Sequence, residues 1–197
     1  MKPEQFVAFL AFTIAAAATP GPSNTLLTAT GAQRGLRRGL PALLGASIGM
    51  GTLMFTVTLG LGAVVLGNEL VLMLMKLSGA AFLGWLAWKI ATAGPHQSSV
   101  GSAVGLRAMA AFQWVNPKGW LVCLAAAATF VDPGAGSALA QSTRIALTFA
   151  VLCIPCFLPW LAFGAAFQRL LRSARGARIF NVAMGLLLGG SVVLLLR

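Results

Sequence analysis

Ala18-Thr19-Pro20-Gly21-Pro22-Ser23-Asn24 interrupts an apolar stretch that begins at Phe6 and resumes through Leu26 and Leu27 to about Thr30. Asn116-Pro117-Lys118-Gly119 interrupts a second long stretch, residues 103–131, in the same way. Pro20 and Pro117 stand 97 positions apart in a chain of 197, half its length, and each lies thirteen or fourteen residues into its own stretch. Four uninterrupted apolar runs complete the pattern, at residues 41–66, 70–90, 145–167 and 179–196. The connections fall at residues 31–39, 67–69, 91–101, 132–136 and 168–178. Of these, residues 91–101, with Gly94, Pro95, His96 and Gln97, read most clearly as a linker.

Composition agrees with six membrane spans. Apolar residues make up 58% and charged residues 9% of the chain, against about 45–50% and about 25% in an ordinary soluble domain. With a mean hydropathy of +0.89, that excludes a disordered chain, a secreted disulfide scaffold and a cytosolic globule. Six spans leave no room for a soluble domain, so residues 1–197 read as a single transmembrane domain. Lys2, the apolar run behind it and Ala16-x-Ala18 also fit a cleavable signal peptide. The return of the apolar pattern beyond Pro22 favours a retained first span.

The net charge of +11 sets fourteen Lys and Arg against Glu4, Glu69 and Asp132. In a soluble protein that balance would suggest nucleic acid. Here most of the basic residues lie in short connections, where they set orientation, and no nucleic-acid partner is expected. Alternating the connections gives one side nine basic residues (Arg34, Arg37, Arg38, Lys89, Arg107, Arg169, Arg172, Arg175 and Arg178) and the other four (Lys2, Lys76, Arg144 and Arg197). The positive-inside rule then places both termini outside. The arginines at 169, 172, 175 and 178 make a basic stripe suited to anionic lipid headgroups. Lys76 lies close enough to a span end to snorkel to the interface.

Three spans before the midpoint and three after it suggest half-repeats of about 1–97 and 98–197. Because three is odd, the second enters the membrane from the opposite face, giving an inverted-topology repeat with both breaks near the midplane. The expected fold is therefore an all-α integral membrane protein of six transmembrane helices, the first and fourth broken at Pro-Gly motifs.

A helix-interior proline frees the carbonyl four residues earlier, which points to Ala16 for Pro20, Ala18 for Pro22 and Gln113 for Pro117. In hydrocarbon such groups are tolerated only where protein, water or ligand satisfies them. Beyond each break a new half-helix begins, with amide donors near Ser23, Asn24 and Gly119, and with Thr19, Ser23 and Asn116 suited to capping. Half-helix N-termini attract anions and C-termini cations, so a zwitterion fits both. An amino acid offers its carboxylate to the amides and Lys118, and its ammonium to the carbonyls. The candidate substrate-binding set is Thr19, Pro20, Gly21, Pro22, Ser23, Asn24, Asn116, Pro117 and Lys118. Asp132, the acid nearest a span end, is the candidate proton-coupling carboxylate, although a helix cap explains it equally well.

At these breaks the chain resembles a known family. The run from Ala18 to Asn24, followed by Gly31-x-x-x-Gly35-x-x-x-Gly39 and then Gly45, Gly49 and Gly51, is similar to the N-terminal signature of the LysE/RhtB amino-acid exporters. Asn116-Pro117-Lys118, opening a run that ends Phe130-Val131, resembles their second signature. Ser23 is a departure, since the first motif usually reads Pro-Gly-Pro-Asn. The resemblance covers essentially the whole chain and implies a multi-pass inner-membrane exporter of amino acids or close derivatives, driven by the proton gradient.

One competing reading comes from Cys153-Ile154-Pro155-Cys156, a C-x-x-C spacing that also suits a membrane thiol–disulfide electron carrier or a soft-metal transporter. Its position inside an apolar span, with no matching cysteine in span two, favours plain packing. A single His and no Tyr leave little for acid–base catalysis, so neither an enzyme nor a cofactor or metal site is expected. Gly45 and Gly49, four apart, suit close helix packing. The sequence leaves a homo-oligomer open and does not identify the exported side chain, although the lack of carboxylates within the spans argues against a cationic one.

Overall fold

The computed structural model describes residues 2–92, 105–132, 134, 136–167 and 173–196. Outside these lie the linker residues from 93 to 101, Pro133, Ala135, Arg169, Arg172 and the side chains of Lys76 and Lys89. The described chain is all helix and connection, without strands. Its helices are α1 (Pro3–Ala18), α2 (Pro22–Thr56), α3 (Gly62–Leu66), α4 (Glu69–Ala91), α5 (Leu106–Val115), α6 (Pro117–Phe130), α7 (Ala138–Ala166) and α8 (Ala174–Leu196). Two described helical stretches, Pro22–Val65 and Ala138–Ala166, are long and apolar enough to cross a membrane.

The basic segment at residues 31–39, expected as a connection, is helical apart from Gly35. Gly35 takes φ +77°, open to a residue without Cβ, so one glycine supplies the whole bend between two helical stretches. Pro41 consequently lies inside a helix rather than at its start. A π-helical turn at Val57–Leu61, with Gly60 at φ +142°, joins α2 to α3. The fifth apolar stretch was expected from residue 145, but α7 begins at Ala138. Its polar first two turns remain helical, and the Arg144 Nε donates to the Ala140 carbonyl at 3.2 Å.

Helix α7 is apolar nearly all round, yet only one stripe is buried: Ile145, Phe149, Cys153, Phe157 and Leu161 recur every four residues. Leu147 and Val151 on other faces are 62% and 63% exposed, as suits contact with lipid chains. Pro155 and Pro159 also lie off the buried stripe. The most extensive packing is of α7 on α2, with α4 on α8 and α5 on α2 following.

Small residues set these approaches, as membrane helices require when lipid competes equally for apolar surface. A Cβ at Gly31 would meet the Leu161 carbonyl, and one at Gly164 the Thr28 carbonyl. A Cβ at Gly45 or Gly49 would meet the carbonyls of Leu106 and Ala110. Phe9 joins α1 to α6 and α7 through ring contacts with Phe130 (centroids 5.1 Å, edge-on) and Phe149 (6.4 Å).

Candidate substrate site

Helix α1 ends at Ala18, with Thr19 as its C-cap in extended backbone, and α2 begins at Pro22 with Gly21 as its N-cap. Helix α5 ends at Val115, and Asn116 in extended backbone serves as the N-cap of α6, with Pro117 in the first turn. Proline suits that first turn because the N–H it lacks would have no helical partner there. Pro22 and Pro117 therefore open helices rather than interrupt them. The Gln113 carbonyl accepts the Asn116 N–H at 3.3 Å instead of standing free. Of the expected caps, Asn116 acts as one, its Oδ1 accepting the Lys118 N–H at 3.2 Å. Thr19 instead donates its hydroxyl back to the Ala15 carbonyl.

Side chains from the two breaks meet. The Ser23 hydroxyl donates to Gln113 Oε1 at 2.8 Å, and Asn116 Nδ2 donates to Ser23 Oγ at 3.0 Å and to Gln113 Oε1 at 3.3 Å. Gln113 Nε2 in turn donates to the Met109 carbonyl at 3.2 Å. Gln113 is fully buried, and both its side-chain oxygen and its nitrogen have partners in this chain of donors and acceptors. Across the same junction the Lys118 ammonium donates to the carbonyls of Thr19 at 2.6 Å and Pro20 at 3.3 Å. It thus holds the C-terminal end of α1, where carbonyls without helical partners favour a cation. Asn24 Nδ2 donates to the carbonyls of Ala17 at 3.1 Å and Thr19 at 2.8 Å, closing the first break from inside.

A small cavity lies between the breaks, bordered by Gly21, Ser23, Asn24, Asn116 and Lys118. Ala16, Ala17, Met50, Gly119 and Val122 add apolar or backbone surface. The opposite wall is the α7 stripe of Phe149, Cys153 and Phe157. Free space is about 30 Å³, room for about two water molecules and too little for an amino acid, so a substrate has to displace side chains to enter. Lys118, with a flexible stem, is the movable one. Its Cδ lies 2.7 Å from where a Cβ on Gly21 would stand, so the bare Gly21 backbone is what gives it room.

Among the described residues, Lys118 is the single charged one bordering the cavity. Thr19, Pro20, Pro22 and Pro117 shape the breaks but are not among its lining. Asp132 lies elsewhere, in the turn between α6 and α7. Its Oδ1 accepts the Gly134 N–H at 2.9 Å, and its backbone N–H and carbonyl pair with the Gln141 side chain at 3.1 and 2.8 Å. Cys123 and Cys153 are buried and Cys156 is half-buried, all as free thiols. Among the described residues no three His, Cys, Asp or Glu side chains are grouped to hold a metal.

The Gln113 side chain and the α7 wall were not singled out from sequence. Gln113 had a signal, an amide set in an apolar run one turn before a proline. Phe149 and Phe157 had none, because an apolar residue on an all-apolar helix gives no contrast, and Cys153 stood out only for its C-x-x-C spacing, not as part of a cavity wall.

The model of the LysE type translocator family matches residues 14–197. The chain belongs to that family. A curated relative from Klebsiella pneumoniae, named cysteine/O-acetylserine efflux protein, is 35% identical over 86% of this chain and 87% of its own. One from Escherichia coli with the same name is 31% identical over 95% of both chains. No solved structure matches. LysE family efflux proteins are membrane proteins, in accord with the two long apolar helices found here. Within this LysE family chain, Ser23 departs from the usual first motif and is occupied in the Gln113–Asn116 network, while Asn24 ties the break itself.

Proposed function

We propose that this LysE family protein exports amino acids or close derivatives across the bacterial inner membrane as a proton-coupled secondary transporter. The observation that carries the reading is the cavity between the two breaks. A lysine from one break sits on the backbone carbonyls of the other, and the described lining holds one cation and no acid.

A zwitterion can exchange with those internal contacts. Its ammonium takes over the α1-end carbonyls that Lys118 holds, and its carboxylate draws the lysine toward itself. Charge is conserved at each step, so neither group is left uncompensated in low dielectric. The α7 wall of Phe149, Cys153 and Phe157, together with Val122 and Met50, suits a small uncharged side chain. The cysteine and O-acetylserine in the relatives' names fit that description.

In this reading the six spans are residues 3–34, 36–66, 69–91, 106–130, 138–166 and 174–196, with both termini outside. The packing of α4 on α8 supports two matching halves, because it pairs span three with span six, while α7 packs along both stretches of α2, against Thr28 and Gly31 in span one and Gly51 in span two. Rocking of one half against the other about the fixed cavity would supply alternating access.

Everted membrane vesicles and a panel of labelled amino acids provide the test. Saturable uptake that requires an acid interior and collapses with a protonophore is expected for small neutral amino acids. Absence of uptake for every amino acid tried would overturn the proposal, and uptake unaffected by the protonophore would remove its proton coupling.

A further inference from the structure

Asn24 borders the cavity, is 2% exposed and lies in the first turn of α2. Its amide nitrogen donates to two carbonyls, those of Ala17 and Thr19. These bonds fix which way the amide faces, since turning it over would set its oxygen against two carbonyl oxygens. Oδ1 is thereby committed, and it is buried with no hydrogen-bond partner. Buried acceptors without partners are rare and destabilising, so one at a cavity calls for a donor that arrives from elsewhere.

The neighbouring side-chain donors are engaged. The Ser23 hydroxyl goes to Gln113, Asn116 Nδ2 to Ser23 and Gln113, and the Lys118 ammonium to Thr19 and Pro20. Asn24 also stands beside the C-terminal end of α1, where the helix dipole favours a cation. A primary ammonium, with three N–H donors and a positive charge, matches both features.

We propose that Asn24 Oδ1 is the acceptor that reads the substrate's ammonium group. This rests on the cavity being the amino-acid site and adds the atom that distinguishes an amine from its absence.

The test compares amino acids with analogues that lack only the amine. In everted vesicles carrying the full chain, L-cysteine and 3-mercaptopropionate compete against labelled O-acetylserine, and the ratio of their half-inhibitory concentrations is read. In the wild type the des-amino analogue should be weaker by about tenfold or more. In Asn24→Leu that ratio should shrink to within about threefold. Where Asn24→Leu is not delivered to the membrane, Asn24→Ala, which removes the amide oxygen without adding bulk or another acceptor, is read in the same way. A variant that keeps the wild-type ratio, even with both competitors weakened, marks a merely structural role and overturns the assignment. So does a wild type that does not prefer the amine. A wild type that recognises neither cysteine nor O-acetylserine removes the proposed substrate class as well.

Discussion

Replacing Lys118 by Met keeps the length of the side chain and removes its charge. The ammonium holds two carbonyls, but Thr19 retains its bond from Asn24 Nδ2 at 2.8 Å after the change. The folded protein therefore loses charge-assisted hydrogen bonding of at most about 1.5–3 kcal/mol, and with the Thr19 carbonyl still paired it is expected to reach the membrane. Transport falls as well, because among the described residues Lys118 is the one charged residue bordering the cavity and the only formal positive charge there for a carboxylate. A charge-assisted hydrogen bond contributes about 1.5–3 kcal/mol, equivalent to roughly ten- to a hundredfold in affinity. Saturation curves in everted vesicles, normalised to the amount of protein, should show that weakening for every amino acid alike, since all share the carboxylate. Lys118→Arg should rescue only in part, because the stem already fills the space beside Gly21. Wild-type saturation in Lys118→Met, or a loss confined to particular side chains, would refute the reasoning.

Gly164→Ala should lower the unfolding temperature of the purified protein, since its Cβ would collide with the Thr28 carbonyl and force α2 and α7 apart at a cost of about 1–3 kcal/mol. An unchanged melting curve would show that this approach is slack. Cys156→Ser should leave flux within about twofold, whereas Cys153→Leu, which thickens the cavity wall, should suppress larger substrates more than smaller ones in the same vesicle panel. A redox-dependent mobility shift that requires both thiols, with loss of flux in Cys156→Ser, would instead favour the electron-carrier reading. Single cysteines introduced at Ser98 and Arg175 should both react from the cytoplasmic side, and labelling of either from outside would overturn the proposed orientation.

The helix ends beside Pro20 and Pro117 were legible in the sequence because proline and glycine within an apolar run act on the backbone whatever surrounds them. Asn116 as a cap, and Gly45 and Gly49 as packing positions, followed from the same local rules. What the residues did with the groups thus exposed was not legible. The proline rule pointed to carbonyls at Ala16, Ala18 and Gln113 as ligands for substrate. The geometry uses Asn24 and Lys118 on the carbonyls of Ala17, Thr19 and Pro20, a choice made by side chains whose reach across the junction depends on how the two halves dock. The basic segment at 31–39 read as a loop because its charges hid a helix bent at Gly35 alone. The π-helical turn at Val57–Leu61 leaves no mark in an apolar run. Likewise, the buried stripe of α7 is set by which face meets α2, and polarity does not record that choice.

In the proposed function the zwitterion of an amino acid occupies the cavity between the two breaks. A structure of the protein determined with O-acetylserine bound tests it most directly. Ligand density is expected between α1–α2 and α6, with the cavity enlarged, Lys118 drawn off the Thr19 and Pro20 carbonyls to the ligand carboxylate, and the ligand side chain against Phe149, Cys153 and Phe157. Ligand density elsewhere, with Lys118 still seated on both carbonyls, would contradict it.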